Sequence, residues 1–441
     1  MFNVDPNLII ECSTNSACSL IRSVALSFLL FFILLTAFAY GAYYERRLLA
    51  WIQQRIGPNR VGPLGLLQPL AEGIKLIFKE DVVPKGADKP VFWLAPVLKA
   101  IPSLMVVAVV PLGPPILVPW FDGLWYRVPL TLIDQANVGV LFVLAFLSLG
   151  SYGVALAGWA SNNKYAMLGG LRASAQMVSY ELSMGLTMAV PILLAASMNL
   201  NKIVDSQVSP PVLGWYIFQN PVSAIVLLIA FFAETARAPF DLPEADTELT
   251  AGFMTEYSGM KFALFFMAEY ISMIGVGMIF ASLYLGGYHF VLVDQVPLLG
   301  PVVLGLKAFL FISLMIWVRA TIPRMRYDQL MQFGWKLMLP LALLGVGWSS
   351  VSVIVGDAAQ NSLVYFIMSG VFTVIAVAAI FIGLRPKPEP AGDSRVEVID
   401  LENRRSVGRT VLFIGGALVS IPFVIFGGIA DLLKKATRPA A

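Results

Sequence analysis

The strongest constraint on this chain is the recurrence of apolar runs of about 20 residues, the length that crosses a bilayer as a helix. Only a helix or a closed barrel satisfies its own backbone polar groups in lipid, and runs this long and continuous are helical. Spans are predicted at 21–43, 96–118, 136–158, 174–196, 221–238, 261–284, 301–320 and 337–356. One or two more follow, near 363–384 and 410–430, on either side of a charged stretch with Arg385, Lys387, Arg395, Arg404, Arg405 and Arg409. The last run holds Pro422 and several glycines, which also suits a re-entrant or interfacial segment. The first run is too long, and lacks the basic leader, for a cleaved signal peptide. Charged residues are only 13% of the chain and hydrophobic ones 58%, against about 25% charged in a soluble domain. The expected fold is therefore an all-α polytopic membrane protein. It has about 8 core transmembrane helices over 1–356 and one or two further helices in an extension over 357–441.

Lys and Arg gather on alternate loops. The loop after the first span holds Arg46, Arg47, Arg55, Arg60, Lys75, Lys79, Lys85 and Lys89. Those after spans three, five and seven add Lys164, Arg172, Arg237, Arg319, Arg324, Arg326 and Lys336, while the opposite loops hold little more than Arg127 and Lys202. Positive charge stays on the cytoplasmic side, so the N-terminus is expected outside. Cys12 and Cys18 then face an oxidising compartment, either paired or as free thiols.

Several functions are excluded. A net charge of +3 with no basic-aromatic stripe argues against nucleic acid. Two cysteines and one histidine, His289, cannot supply the ligand sets of iron–sulfur clusters or most metal sites, and His289 reads as a loop residue. Neither G-x-G-x-x-G nor G-x-x-x-x-G-K-[ST] occurs, so dinucleotides and NTPs lack their usual loops. Any electrons must be handled by partner proteins.

The cytoplasmic loops carry more chemistry than connections need. Over 64–79, Leu64, Leu67, Ala71, Ile74 and Phe78 share one helical face, and Gln68, Glu72, Lys75 and Lys79 another. This predicts an amphipathic helix at the membrane surface, which by itself is an ordinary interfacial anchor. Glu181 and Glu269 lie inside predicted spans and Glu234 near the end of one. Intramembrane carboxylates are costly and are either polar pins between helices or parts of a proton relay. The segment 233–248 adds Arg237, Asp241, Glu244, Asp246 and Glu248, broken by Pro239 and Pro243 and flanked by Phe240 and Leu242; Glu256 follows. Prolines end the helix there, and the apolar flanks predict an acidic plug folded into the mouth of the bundle.

Three groups of residues carry a family resemblance. One runs through Glu45-Arg46-Arg47, Gln54-Arg55-Ile56-Gly57-Pro58-Asn59-Arg60-Val61-Gly62-Pro63 and Gly65-Leu66-Leu67-Gln68-Pro69. Another joins Gly158-Trp159-Ala160-Ser161-Asn162 to Ala175-Gln176 and Ser179-Tyr180-Glu181, and the third joins Ala238-Pro239-Phe240-Asp241-Leu242 to Pro323-Arg324-Met325-Arg326-Tyr327-Asp328. In this order, over 45–340, the sequence closely resembles the H-subunit family of the proton-pumping NADH-quinone oxidoreductase, respiratory complex I. The resemblance implies a membrane subunit with no redox centre of its own. Its substrate is a quinone, ubiquinone or menaquinone, with FMN and iron–sulfur clusters confined to partner subunits. Those partners are the peripheral-arm quinone-site and iron–sulfur subunits and the small and antiporter-like membrane subunits.

By position, Arg46, Arg55, Arg319 and Arg324 match arginines of the quinone tunnel, and Gln68, Glu72 and Lys75 lie on the helix at its entrance. Arg237, Asp241, Glu244, Asp246 and Glu248 match a loop that responds to the quinone, and Glu181, Glu234, Glu256 and Glu269 match acids of the proton path. Ala236 stands where many members have Asn, Glu72 where Asp is common and Asp246 where Glu is frequent, and residues 357–441 have little counterpart. A membrane-bound hydrogenase-type complex and a stand-alone ion transporter are the competing readings. The long Gly57-Pro58-Asn59 and Ala238-Pro239-Phe240-Asp241 regions favour the quinone enzyme over the first. The concentration of polar residues on one side, rather than at mid-membrane, weighs against the second.

Overall fold

Asn15 starts the first long helix, its side-chain oxygen accepting the amide of Ala17. That helix, α1 (Ser16–Ile52), has 37 residues, about 55 Å at 1.5 Å per residue. It is far longer than the roughly 30 Å hydrocarbon core, so its last turns carry Glu45, Arg46 and Arg47 beyond its apolar stretch. Leu20, Val24, Phe28 and Phe32 are exposed along it, the surface expected of a helix solvated by lipid. The computed structural model describes residues 9–12, 15–119, 125–133, 137–208, 214–241, 251–290, 293, 296–359, 367–368 and 370–374.

The other elements follow in order: α2 (Gln68–Phe78), α3 (Lys89–Ala108), α4 (Gly139–Ala160), α5 (Lys164–Ala195), α6 (Leu200–Asp205), α7 (Tyr216–Gln219), α8 (Pro221–Glu234), α9 (Gly259–Tyr284) and α10 (Gly300–Thr321). The short α11 (Tyr327–Phe333) continues through a π turn, Gly334–Met338, into α12 (Leu339–Ala359). Among the described residues, seven helices are long and apolar enough to cross a membrane. The chain is an all-α polytopic membrane protein, as expected. Helix α3 packs on α4 and α9, α5 on α4, α8 and α12, and α2 lies against α1 and α9. Gly153 of α4 permits a close approach to α3, because a Cβ there would stand 2.8 Å from the backbone nitrogen of Lys99. Phe92, Val154, Phe253, Tyr257 and Phe265 fill the adjoining core, with the rings of Phe92 and Tyr257 stacked at 4.1 Å.

Two predicted spans are corrected. The span expected at 221–238 is a helix of 14 residues, about 21 Å and too short to cross. Ala236 turns left-handed at φ 50°, and Pro239 has no amide hydrogen to continue the ladder. The span expected at 96–118 is displaced towards the N-terminus. It runs Lys89–Ala108, ends before Pro111, Pro114 and Pro115, and gives way to a strand.

A small sheet, not foreseen from the sequence, joins that strand, β2 (Ile116–Pro119), to β1 (Ile9–Glu11) and β3 (Trp125–Val128). Its order is β1-β3-β2, with β1 parallel and β2 antiparallel to β3. Cys12 and Cys18 form a disulfide buried with Tyr126, so the paired alternative holds.

The chain divides into two units, 1–374 and 375–441. The second lies outside the described residues, as do the charged stretch and the span predicted near 410–430. Of the span near 363–384, only 367–368 and 370–374 are described, as helix.

Candidate functional site

The site begins where the charged end of α1 meets α2 and α9. Arg46 forms an ion pair with Glu72, and Gln68 donates to the same carboxylate at 3.1 Å, a bond one turn along α2. Behind this pair is a cavity of about 370 Å³. Its walls include Leu35, Phe38, Lys75, Leu76, Phe262 and Phe266, so it is apolar with a charged rim. Arg47 and Tyr43 both donate to the carbonyl of Leu64, at 2.7 and 2.6 Å, and fix the turn preceding α2. Arg55 stands apart from this group. It is exposed beyond the end of α1 and donates to Gln53 at 2.7 Å.

Inside the bundle the neighbouring residue of α1 organises the charges. Glu45 is only 3% exposed. Arg237 donates to both of its oxygens at 3.4 Å, Tyr270 donates at 2.6 Å, and Arg319 of α10 forms an ion pair with it. Two guanidiniums and a hydroxyl thus compensate one buried carboxylate, which alone would be prohibitive. The Arg237 guanidinium also lies 4.7 Å from the centre of the Tyr270 ring, and its Nη2 is 3.7 Å from Glu269.

The break after α8 is held in place from both sides. Gln176 of α5, fully buried, donates through Nε2 to the carbonyls of Ala233 and Phe240, each at 2.8 Å. Because both partners are carbonyls, the amide nitrogen must face them. The amide of Met325 donates to the Pro239 carbonyl at 3.1 Å, and Arg324 to Asp241 at 2.7 Å. Asp241 is buried, and irregular backbone at this depth is tolerated because protein surrounds it. Glu244, Asp246 and Glu248 lie outside the described residues.

Glu234, Glu269 and Lys99 converge at a second, much smaller cavity, also bordered by Thr235 and Ser272. Glu181 lies within electrostatic range of Glu234 and accepts a hydrogen bond from Ser148 of α4. Glu256 is not part of this group. It accepts from Asn163, the residue capping α5, at 2.7 Å.

Sequence reasoning missed Lys99, Gln176 and the role of Glu45 as the meeting point of two arginines. Lys99 had a usable signal, since it falls inside a predicted span like Glu181. Gln176 and Glu45 had none beyond lying within recognised motifs, because their partners are 57 to 274 residues away. Lys261 was missed as well. It pairs with Asp81 at 2.9 Å and sits 3.7 Å from the Trp93 ring, fastening α9 to α3.

The family described as NADH dehydrogenase matches residues 25–350. The chain is 51% identical over 324 residues to the NADH-quinone oxidoreductase H subunit numbered 2 of Geobacter sulfurreducens, covering 73% of this chain and 94% of that relative. It is 48% identical over 334 residues to the NADH-quinone oxidoreductase H subunit of Thermomicrobium roseum, covering 74% and 95% respectively. A third relative, the corresponding H subunit of Protochlamydia amoebophila, is 48% identical over 311 residues, 70% of this chain and 91% of its own length.

Proposed function

Since the chain belongs to the H-subunit family of NADH-quinone oxidoreductase, we propose that its α1–α2–α9 cavity admits a quinone and that the buried charges beyond it couple quinone reduction to proton movement. The chain is a membrane subunit of that multi-subunit enzyme. The single observation that carries the finer reading is the adjacency of Glu45 and Arg46. Arg46 meets Glu72 at the cavity rim, and Glu45 meets Arg237 and Arg319 inside. From Arg237 the series continues to Glu269, then to Glu234 and Glu181.

Each part suits its task. Apolar walls favour an isoprenoid tail, and the rim supplies donors and an acceptor for a quinone headgroup. Arg319 and Arg324 hold Glu45 and Asp241, so the loop at 235–241 has charged contacts on both flanks. A change in charge near the loop alters the field at Glu269 through Arg237, and a carboxylate in a low-dielectric site responds strongly to such changes. Flavin and iron–sulfur chemistry belongs to peripheral-arm partners, and protons continue towards antiporter-like membrane subunits. The setting is a bacterial inner membrane with the N-terminus outside. The positive loops and the disulfide on the opposite side both support this orientation.

A photoreactive quinone analogue added to membranes tests the reading. Labelled peptides are expected from 35–46, 69–77 or 260–267 of the intact complex, with competition by unmodified quinone. Labelling confined to other segments overturns the cavity assignment. The tagged chain purified in mild detergent is expected to bring flavin and iron–sulfur proteins with it.

A further inference from the structure

Lys99 occupies an unusual position for a lysine. It is 8% exposed, in the middle of α3, between two prolines of the same helix, Pro96 and Pro102. Its side chain passes Gly150 of α4, where a Cβ would stand 3.6 Å from the ammonium nitrogen. No direct hydrogen bond or ion pair to Lys99 occurs among the described residues. It nevertheless interacts electrostatically with Glu234 and Glu269. Between them is the cavity of about 10 Å³, room for one water molecule. A buried ammonium without a direct partner is prohibitive unless a polar bridge satisfies it. One water meeting the lysine, Glu234 and Glu269 has the two to four polar partners that a buried water requires.

We infer that Lys99 shares a proton with Glu234 through this water-sized cavity, with Glu269 and Arg237 setting the side on which the proton rests. This rests on the proton-path reading above and adds to it a basic member on a helix that the path otherwise leaves out. In one state the ammonium of Lys99 faces the carboxylate of Glu234. In the other, a proton has left Nζ for the water, and the water has passed one to the Glu234 carboxylate, leaving a neutral amine and a neutral acid. Both states carry the same net charge. Neither strands a single charge in the bundle, so the balance between them is open to control from nearby. The charged groups nearest this site are Glu181 from α5, Glu234 from α8 and Glu269 from α9, with Arg237 beyond α8. Lys261 is held away by Asp81. Arg237 is the member that also contacts Glu45, so a change at the tunnel side reaches Lys99 through Glu269.

The test uses sealed vesicles containing the assembled complex with Lys99→Met, Lys99→Arg or Glu234→Gln. It reads NADH:quinone turnover, protons pumped per turnover, and the carboxyl infrared bands that change on reduction. Lys99→Met is expected to lower pumping about tenfold or more and to change the carboxyl band that Glu234→Gln removes. Lys99→Arg keeps the charge but cannot release its proton, so it is expected to assemble normally and still pump poorly. Wild-type pumping in Lys99→Arg overturns proton sharing, and does so even if Lys99→Met fails to assemble. Wild-type pumping and an unchanged carboxyl band in Lys99→Met, alongside failure in Glu234→Gln, overturn the part assigned to Lys99 and leave the acid path standing. Wild-type pumping in Glu234→Gln removes the path itself.

Discussion

Arg237 donates to both carboxylate oxygens of Glu45 at 3.4 Å, across 192 positions of sequence. The contact joins the end of the first membrane helix to the break after α8, and both residues are buried. Removing one partner from such a pair costs far more than the pair itself contributes, because the other charge is left uncompensated. Glu45→Gln should therefore destabilise the assembled complex by roughly 3 kcal/mol, the lower end for a buried pair, since Arg319 is partly exposed and keeps some hydration. The double variant Glu45→Gln with Arg237→Met should be less damaging than the sum of the two singles. Thermal unfolding of the purified complex measures both, and strict additivity would show that the pair does not interact.

At the cavity rim, Arg46→Ala should reduce quinone turnover about tenfold or more, the scale of a lost charge-assisted hydrogen bond. NADH oxidation by artificial acceptors that bypass the membrane arm should persist. Lysine should rescue only in part, because it lacks the planar fork of the guanidinium. Equal loss with both kinds of acceptor would indicate failed assembly instead.

Gln176 offers a prediction free of charge effects. Gln176→Leu conserves approximate volume but leaves the Phe240 carbonyl without its donor, and leaves the Ala233 carbonyl only the amide of Ala236 at 3.3 Å. Each unsatisfied buried group costs about 1–3 kcal/mol, so both stability and coupled activity should fall. Gln176→Asn is expected to recover little, since its shorter side chain cannot span both carbonyls. Wild-type melting in Gln176→Leu would show that the break in α8 holds itself.

Coupling is tested at Asp241 and Glu181. Moving one charge against the membrane potential costs roughly 2.3 kcal/mol per 100 mV, more than an exposed ion pair supplies. Asp241→Asn and Glu181→Gln should each lower coupled NADH:quinone activity and vesicle acidification strongly while the complex still assembles on native gels. Glu181→Asp should lose less, because it still titrates. Wild-type turnover and pumping in both amide variants would reduce these acids to polar pins between helices.

The spans were legible because lipid imposes a single rule, a long apolar run that closes its own hydrogen bonds, and α1, α4, α5 and α9 follow it. The rule failed where protein replaces lipid. Helix α8 is as apolar as its neighbours yet stops after Glu234, because Ala236 and Pro239 bend the backbone and Gln176 donates to the buried carbonyls of Ala233 and Phe240. Residues 116–118 read as the end of a span and instead lie in a strand that pairs with Trp125–Val128, a pairing that apolar periodicity does not encode. Intramembrane charge singled out Glu181, Glu234 and Glu269, which the fold brings near one another, but Lys99, the cation beside Glu234 and Glu269, was passed over. Glu256, grouped with these acids by the family resemblance, has its contact elsewhere, at Asn163.

Consecutive residues of a helix point about 100° apart, which is why Glu45 and Arg46 reach different worlds from one stretch of α1. The helix is in effect an axle with two spokes. Any twist of α1 that withdraws Arg46 from Glu72 swings Glu45 through the same angle against Arg237 and Arg319. No separate messenger is needed between the rim and the interior. By thermodynamic reciprocity, whatever factor an occupant of the cavity applies to the ionisation of the buried charges, those charges return to the occupant's affinity.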